Sequence, residues 1–212
     1  MTELFVSAFV TFFVVIDPPG CAPIFASLTQ GSTAAHRRSM AIRSILIASG
    51  ILLFFALLGE DLLRALGVSL HAFKIAGGIM LFLIALEMVF EKRQERRSTR
   101  AEEVKKDPAS EDISVFPMGI PMIAGPGSIA SVMLLMARNE GVANSLIVLG
   151  ALAANLLLTL VALLGAGTLM RLIGHRMEGM VTRLLGVILA ALAVQFVLDG
   201  IEATLIAELS TS

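Results

Sequence analysis

The stretch DPPGCAP at residues 17–23 interrupts an apolar run that extends over residues 4–28. Its three prolines remove backbone donors and clash with preceding carbonyls, so a regular helix cannot pass through it. A second stretch, PMGIPMIAGPG at residues 117–127, interrupts another apolar run in the same way. At membrane depth, non-helical backbone is tolerated only where it is buried in protein or lines a cavity. These two stretches, called the first and second breaks below, therefore decide the architecture.

Apolar runs of membrane-spanning length surround both breaks. Of the 212 residues, 57% are hydrophobic and 16% are charged, and the mean hydropathy is +0.89. Soluble domains carry about a quarter charged residues, and a hydrocarbon core of about 30 Å requires long apolar helices. The pattern predicts an all-α integral membrane protein with six transmembrane helices, of which helices 1 and 4 are discontinuous. We expect them at about residues 4–28, 41–58, 72–90, 113–137, 142–164 and 180–198.

The two halves of the chain resemble each other. Pro19-Gly20 precedes Pro126-Gly127 by 107 residues, and LLRALG at 62–67 precedes LMRLIG at 169–174 by the same offset. Internal repeats of this kind are typical of transporters. We therefore predict a first three-span repeat over residues 1–90 and a second over 113–212. Because each repeat has an odd number of spans, the second must be inverted relative to the first.

Residues 91–112 form a charged linker between the repeats, with seven basic and seven acidic side chains. Its composition favours a solvated, partly disordered segment, and a regulatory arm is the alternative. The linker also determines the orientation, because cytoplasmic loops are enriched in Lys and Arg. Thirteen of the sixteen Lys and Arg residues lie on the linker side of the predicted spans and three on the other. We expect a cytoplasmic linker and periplasmic termini.

Each break is followed by a helix that starts again inside the membrane. A helix start exposes unpaired backbone N–H groups and the positive end of the helix dipole, which suits a carboxylate or another small anion. The alternative is a pair of proline kinks relieved by neighbouring helices. The matching positions of the breaks favour one shared binding site near the midplane. Small residues around it favour a small substrate: Gly20, Cys21, Ala22, Gly125, Gly127 and Ser128.

The sequence around both breaks resembles a known family. DPPG at residues 17–20, followed by Pro23 and Phe25, is similar to the first signature of the MarC-type family of bacterial inner-membrane proteins. FPMGIPMIAGPGSI at residues 116–129 is similar to the second, and the resemblance covers nearly the whole chain. It implies six spans, a location in the bacterial inner membrane, and kinship with transporters of small neutral amino acids such as glycine and alanine.

Among the polar side chains inside the predicted spans, Asp17 and Asn155 are the functional candidates. Ionisable residues in membranes are functional candidates, so Asp17 is expected to carry a coupling proton, bind a coupling cation or contact a substrate ammonium. The alternative is that Asp17 caps the helix that follows it. Asn155, with Thr159 one turn later, is a candidate for a polar pathway. Hydrogen bonding between helices is the commoner use of such residues.

Other function classes find little support in these residues. The three histidines lie in or beside loops, and neither a nucleophile motif nor metal-spaced ligands appear. We therefore expect no enzyme, no cofactor and no metal site, and a net charge of −1 gives no footprint for nucleic acid. The expected partners are the lipid bilayer, a small-molecule substrate and a coupling proton or sodium ion. A passive channel is the main alternative, since broken helices also build pores.

Overall fold

In a computed structural model, the backbone is described for residues 1–106, 112–139 and 141–209. Side chains are described over the same ranges except for 105–106, 169–178 and 206–209. This part of the chain is helical throughout apart from short turns. The helices are α1 (Thr2–Ile16), α2 (Pro18–Leu28), α3 (Ala34–Ala65), α4 (Leu70–Val89), α5 (Lys92–Lys106), a π-helical segment (Ser114–Ile123, the π segment below), α6 (Pro126–Arg138), α7 (Val142–Leu164) and α8 (Ala166–Leu209).

The apolar helices agree closely with the predicted spans. Within the described residues, five segments are long and apolar enough to cross a membrane: Thr2–Leu28, Ala34–Ala65, Leu70–Val89, Val142–Leu164 and Gly179–Leu205. The π segment and α6 together make a sixth candidate, bent by 51° between Ile123 and Pro126. Their outward faces carry exposed leucines, as expected for helices that contact lipid chains. The all-α architecture with five or six candidate spans is therefore confirmed.

The expectation of a solvated, partly disordered linker is wrong for residues 92–106, which form α5. This helix contacts α2, α4 and the π segment. Arg93 and Arg97 on its inner face are only 8% and 9% exposed. Buried guanidinium groups need hydrogen-bond partners. Those of Arg97 lie at the two breaks, and those of Arg93 lie at the end of α1 and on α4. Composition alone does not predict this burial, because it does not show that the four arginines of α5 share one face of the helix. Residues 107–111 lie outside the described residues.

The packing brings the two halves of the chain together. The most extensive contact joins α4 to α8, and glycines allow the two backbones to approach closely. A Cβ on Gly78 would lie 2.8 Å from the Ala193 carbonyl oxygen, and one on Gly186 would lie 3.1 Å from that of Ala85. Small residues at such interfaces are typical of membrane helices. Between halves, α1 and α2 both contact α7, and the π segment and α6 both contact α3.

One expected equivalence between the halves is absent from the backbone. The LLRALG stretch at 62–67 ends α3, and Gly67 has a positive φ of 70°. Its counterpart at 169–174 lies inside α8, because the chain turns earlier, at Gly165. The side chains of 169–178 lie outside the described set. The similarity at this offset therefore does not correspond to the same turn in both halves.

Candidate functional site

The first break is organised around Asp17, which is fully buried. Asp17 has a left-handed backbone (φ 59°, ψ 65°) that ends α1 and begins α2. Its Oδ1 accepts a hydrogen bond of 3.1 Å from the Gly20 amide, so the carboxylate caps the restarted helix. A Cβ on Gly20 would overlap the Asp17 carboxylate. Glycine is therefore required at residue 20 for this cap to form.

Arg97 connects the first break to the second. Its Nη1 lies 3.0 Å from Asp17 Oδ2 in a buried ion pair. Its Nη2 donates to the Met122 carbonyl oxygen at 3.4 Å, near the end of the π segment. A single guanidinium group therefore touches both breaks, which places the Asp17 carboxylate and the Met122 carbonyl within the width of one side-chain head group. The two breaks meet at one buried place, as the sequence predicted.

Arg93 lies one turn earlier on α5 and closes the end of α1. Its Nη2 donates to the Val15 carbonyl oxygen at 2.6 Å, and its Nη1 contacts Met88 Sδ at 3.0 Å. Burial, reinforced by the positive charge of Arg97, lowers the pKa of Arg93 to about 10. The group thus stays charged at neutral pH. A cation at the carboxyl end of α1 also interacts favourably with the helix dipole.

The second break differs from the first because no side chain caps the helix that follows it. The N-cap of α6 is Gly125, and no side-chain hydrogen bond is made there. Pro126 has no N–H, and Ile129 donates to the Gly125 carbonyl oxygen at 3.0 Å. Within the described residues, the amides of Gly127 and Ser128 have no acceptor. By the 107-residue offset, the residue that corresponds to Asp17 is Ala124, which has no carboxylate.

A cavity of about 490 Å³ opens beside this uncapped helix start. The inner face of α5 forms one wall with Arg93, Arg96, Arg97 and Arg100, and the second break forms another with Gly125, Gly127 and Ser128. Acidic side chains lie on the opposite face of α5, where Glu95 and Glu102, together with Glu91 just before the helix, border a second cavity of about 530 Å³. Arg93 lines both cavities. The charges of α5 are therefore sorted by face. The cavity at the second break has a basic wall.

The predicted site residues fall into two groups. Gly125, Gly127 and Ser128 line the basic cavity. Gly20, Cys21 and Ala22 are buried in the packing around the first break, together with Asp17. Cys21 Sγ donates to the Ile16 carbonyl oxygen at 3.4 Å. The small residues of both breaks are buried and allow close packing of the protein on itself. Those of the second break also line the basic cavity.

Asn155 lies apart from this cavity. Its Nδ2 donates to the Phe9 carbonyl oxygen on α1 at 3.0 Å and to the Ala151 carbonyl oxygen at 3.1 Å. Thr159 Oγ1 donates to the Asn155 carbonyl oxygen at 2.7 Å. Asn155 therefore links α7 to α1, which is the structural alternative considered above. Its Oδ1 is buried without a partner in the described part of the chain.

The sequence interpretation missed the four arginines of α5. Their spacing, at residues 93, 96, 97 and 100, is that of one face of a helix. The acidic and polar residues at 91, 95, 98 and 102 follow the opposite face. This separation of charges by face was the available signal. The total charge of residues 91–112 conceals this separation, because the segment has seven basic and seven acidic side chains.

Comparison with known proteins shows the family of this chain. Residues 2–205 match the model of the MarC family integral membrane proteins. The chain belongs to the MarC family. It is 36% identical to the UPF0056 membrane protein MJ1677 of Methanocaldococcus jannaschii, over 96% of this chain and 98% of that protein. It is 35% identical to YvbG of Bacillus subtilis, over 95% and 96% of the two chains.

The name of a third relative states the membrane in which that protein lies. The chain is 35% identical to the UPF0056 inner membrane protein YhgN of Escherichia coli, over 95% of this chain and 98% of that one. No solved structure matches the fold. Together with the apolar helices, the family places this chain among integral membrane proteins with several spanning helices. The names of these relatives mention no substrate.

Proposed function

We propose that this protein transports a small solute across the inner membrane by alternating access, and that the solute is a small neutral amino acid such as glycine or alanine. The observation that carries the proposal is the meeting of the two breaks through Arg97. Discontinuous helices that meet inside the membrane are typical of substrate sites in secondary transporters. A structural scaffold gains nothing from placing an aspartate and two arginines there, where burying charge is costly.

An inverted repeat, which we also propose, would support the alternating-access mechanism. If α1, α2, α3 and α4 correspond to the π segment, α6, α7 and α8, the contacts between halves form exchanged pairs. The contact of α1 with α7 matches that of the π segment with α3, and the contact of α2 with α8 matches that of α6 with α4. Such exchange is expected from a pseudo-twofold axis. Such an axis would give two arrangements of the helices of similar energy, with the site open to one side of the membrane in each.

The charges at the breaks suit a zwitterion. The free amides of α6 can donate hydrogen bonds to a carboxylate, and Asp17 is the buried carboxylate available to a substrate ammonium. In this arrangement Arg97 occupies Asp17. We infer that the ammonium of the substrate, a proton or a sodium ion replaces Arg97 during the cycle. The glycines and serine around the second break favour a small solute.

We further propose that both termini face the periplasm and that α5 lies on the cytoplasmic side. The imbalance of basic residues supports this orientation. It makes α5 a cytoplasmic cover over the joined breaks. A C-terminal alkaline phosphatase fusion is expected to be active, and a C-terminal reporter that matures only in the cytoplasm is expected to be silent. The opposite pattern would reverse the orientation.

Uptake by purified protein in liposomes tests transport itself. We expect saturable uptake of labelled glycine and alanine that depends on a proton or sodium gradient. Linear uptake that ignores the gradients would favour the alternative of a passive channel, and no uptake would contradict both. Arg97→Gln should change uptake strongly. Arg64→Gln is a matched control, because Arg64 pairs with Glu60 at 3.1 Å on an exposed part of α3.

A further inference from the structure

The start of α6 lacks an acceptor that the start of α2 has. At the first break the Asp17 carboxylate accepts the Gly20 amide. At the second break the Gly127 and Ser128 amides have no acceptor among the described residues. The Ser128 side chain lines the basic cavity, is 2% exposed, and makes no hydrogen bond within that part of the chain. Three donors at this helix start are therefore available to one ligand.

The charges around the cavity do not balance. Arg96 pairs with both oxygens of Glu87 at 2.7 Å, and Arg97 pairs with Asp17. Arg93 binds a carbonyl oxygen and a thioether sulfur, and Arg100 lies 5.9 Å from the centre of the Phe116 ring. Neither has a carboxylate partner in the described ranges. Two guanidinium groups in the cavity wall thus have no ion-pair partner among the described residues.

A carboxylate matches this set of donors. Its oxygens accept hydrogen bonds from backbone amides at a helix start and from guanidinium groups, and such charge-assisted bonds are the strong ones. The cavity volume of about 490 Å³ lies within the range of small-molecule sites. An ammonium group has no unpaired carboxylate to bind in this cavity as long as Arg97 holds Asp17.

We propose that the basic cavity is the carboxylate subsite, in which the Gly127 and Ser128 amides, the Ser128 hydroxyl and Arg100 hold the carboxylate of the solute. The carboxylate takes at the second break the place that Asp17 occupies at the first. This inference rests on the proposed function and adds an order of events. The carboxylate binds first, with Arg97 still on Asp17, and the ammonium binds only after Arg97 has left.

Ligand-dependent thermal stability of the purified protein in a neutral detergent tests the subsite without transport. A ligand that binds the folded state raises Tm by mass action. Acetate and inorganic phosphate are the probes, chloride at equal ionic strength is the baseline, and methylammonium is the opposite-charge control. We expect acetate to raise Tm in the wild type and methylammonium to leave it unchanged. Stabilisation by methylammonium alone, or by neither probe anion, would overturn the subsite.

Substitutions locate the binding. Ser128→Ala and Arg100→Gln should each weaken acetate binding about tenfold, since each removes a bond to a charged ligand. Ser98→Ala is the matched control, because Ser98 borders the cavity on the other face of α5. It should bind acetate like the wild type. If Ser128→Ala and Arg100→Gln, folded with normal Tm in chloride, keep wild-type affinity, the subsite lies elsewhere.

A lipid phosphate offers similar chemistry, so the solute must be distinguished from it. In nanodiscs with phosphatidylglycerol, acetate affinity should equal that in phosphatidylcholine nanodiscs. Competition by phosphatidylglycerol would assign the site to a lipid head group and overturn the solute assignment. Glycine uptake separates this inference from the proposed function. Uptake that Ser128→Ala leaves unchanged contradicts the subsite only, and acetate binding without any uptake contradicts transport only.

Discussion

The two breaks have the same covalent pattern and opposite chemistry. At the first, Asp17 caps α2, pairs with Arg97 and is fully buried, so every charged or polar group of the break has a partner in the protein. At the second, Ala124 stands in the place of Asp17, and the start of α6 faces a cavity lined by arginines. The comparison teaches that two breaks with a shared Pro-Gly step can both start a new helix inside the protein, while only one of them provides a side-chain cap for that helix.

The largest expected effect concerns the ion pair that joins the breaks. Arg97→Met should destabilise the protein by about 3–5 kcal/mol, because it leaves the Asp17 carboxylate buried and unpaired. Thermal unfolding in detergent measures this loss. The double variant Asp17→Asn with Arg97→Met should be more stable than Arg97→Met alone. A double variant as unstable as the sum of the single ones would show that the pair does not couple the breaks.

Asp17→Asn separates the cap from the charge at the first break. Asparagine caps a helix about as well as aspartate, so the Gly20 amide keeps its acceptor. The side chain at residue 17 that pairs with Arg97 loses its charge. If Asp17 couples transport to an ion, gradient-driven glycine uptake in liposomes should disappear while counterflow exchange remains. Retention of gradient-driven uptake at the wild-type rate would leave Asp17 with the capping role only.

Replacing Gly20 or Gly127 with alanine should destabilise the protein by different amounts, because the two breaks are packed differently. In Gly20→Ala the new methyl group overlaps the Asp17 carboxylate, so the cap must break. We expect a loss of about 1–3 kcal/mol, typical of overpacking. In Gly127→Ala it lies 2.6 Å from Ile84 Cδ1, the end of a half-buried side chain that can turn aside. Gly127→Ala should therefore lower Tm less, and equal losses would contradict the contrast between the breaks.

The smallest effect concerns the approach to the second break, which has a pH-sensitive contact that the first lacks. Hydrogen bonds from the Ser114 hydroxyl and amide lower the pKa of Asp112, which also pairs with Arg43 at 2.9 Å. Asp112 corresponds to Phe5 by the 107-residue offset. Because the folded-state pKa is lowered, this contact stabilises the protein above the unfolded-state pKa and is lost as pH falls through the folded-state value.

Ser114→Ala should therefore lower Tm slightly at neutral pH and not at all at a pH where Asp112 is protonated in both states. The effect stays small because the Asp112 side chain is 45% exposed, so that solvent screens the contact. Tm measured from pH 7 down to 3 checks it. The control is Ser69→Ala on α4, whose cap of Ala72 has no partner that titrates in this range. A Tm difference between Ser114→Ala and wild type that grows as pH falls would contradict the assignment.

The sequence predicted the spans well because lipid imposes one rule on every buried backbone group. The fifth span matches α7 (Val142–Leu164) residue for residue, and the meeting of the breaks followed from their paired positions. The sequence could not predict which break has a side-chain cap on the helix that follows it, since Asp17 is compatible with a cap and with a coupling site. It makes the cap and an ion pair, and its partner Arg97 is 80 residues away in a segment with balanced charge.

The burial of α5 arginines between the breaks has an electrical consequence. Moving one elementary charge across the whole membrane potential changes the free energy by about 2.3 kcal/mol per 100 mV. Under the proposed mechanism, Arg93 and Arg97 would move through part of that field when α5 leaves the breaks. If α5 lies on the cytoplasmic side as proposed, an inside-negative voltage would pull both guanidinium groups toward the cytoplasm and favour withdrawal of the helix. We then expect the movement of α5 to appear as a transient current in the absence of any substrate.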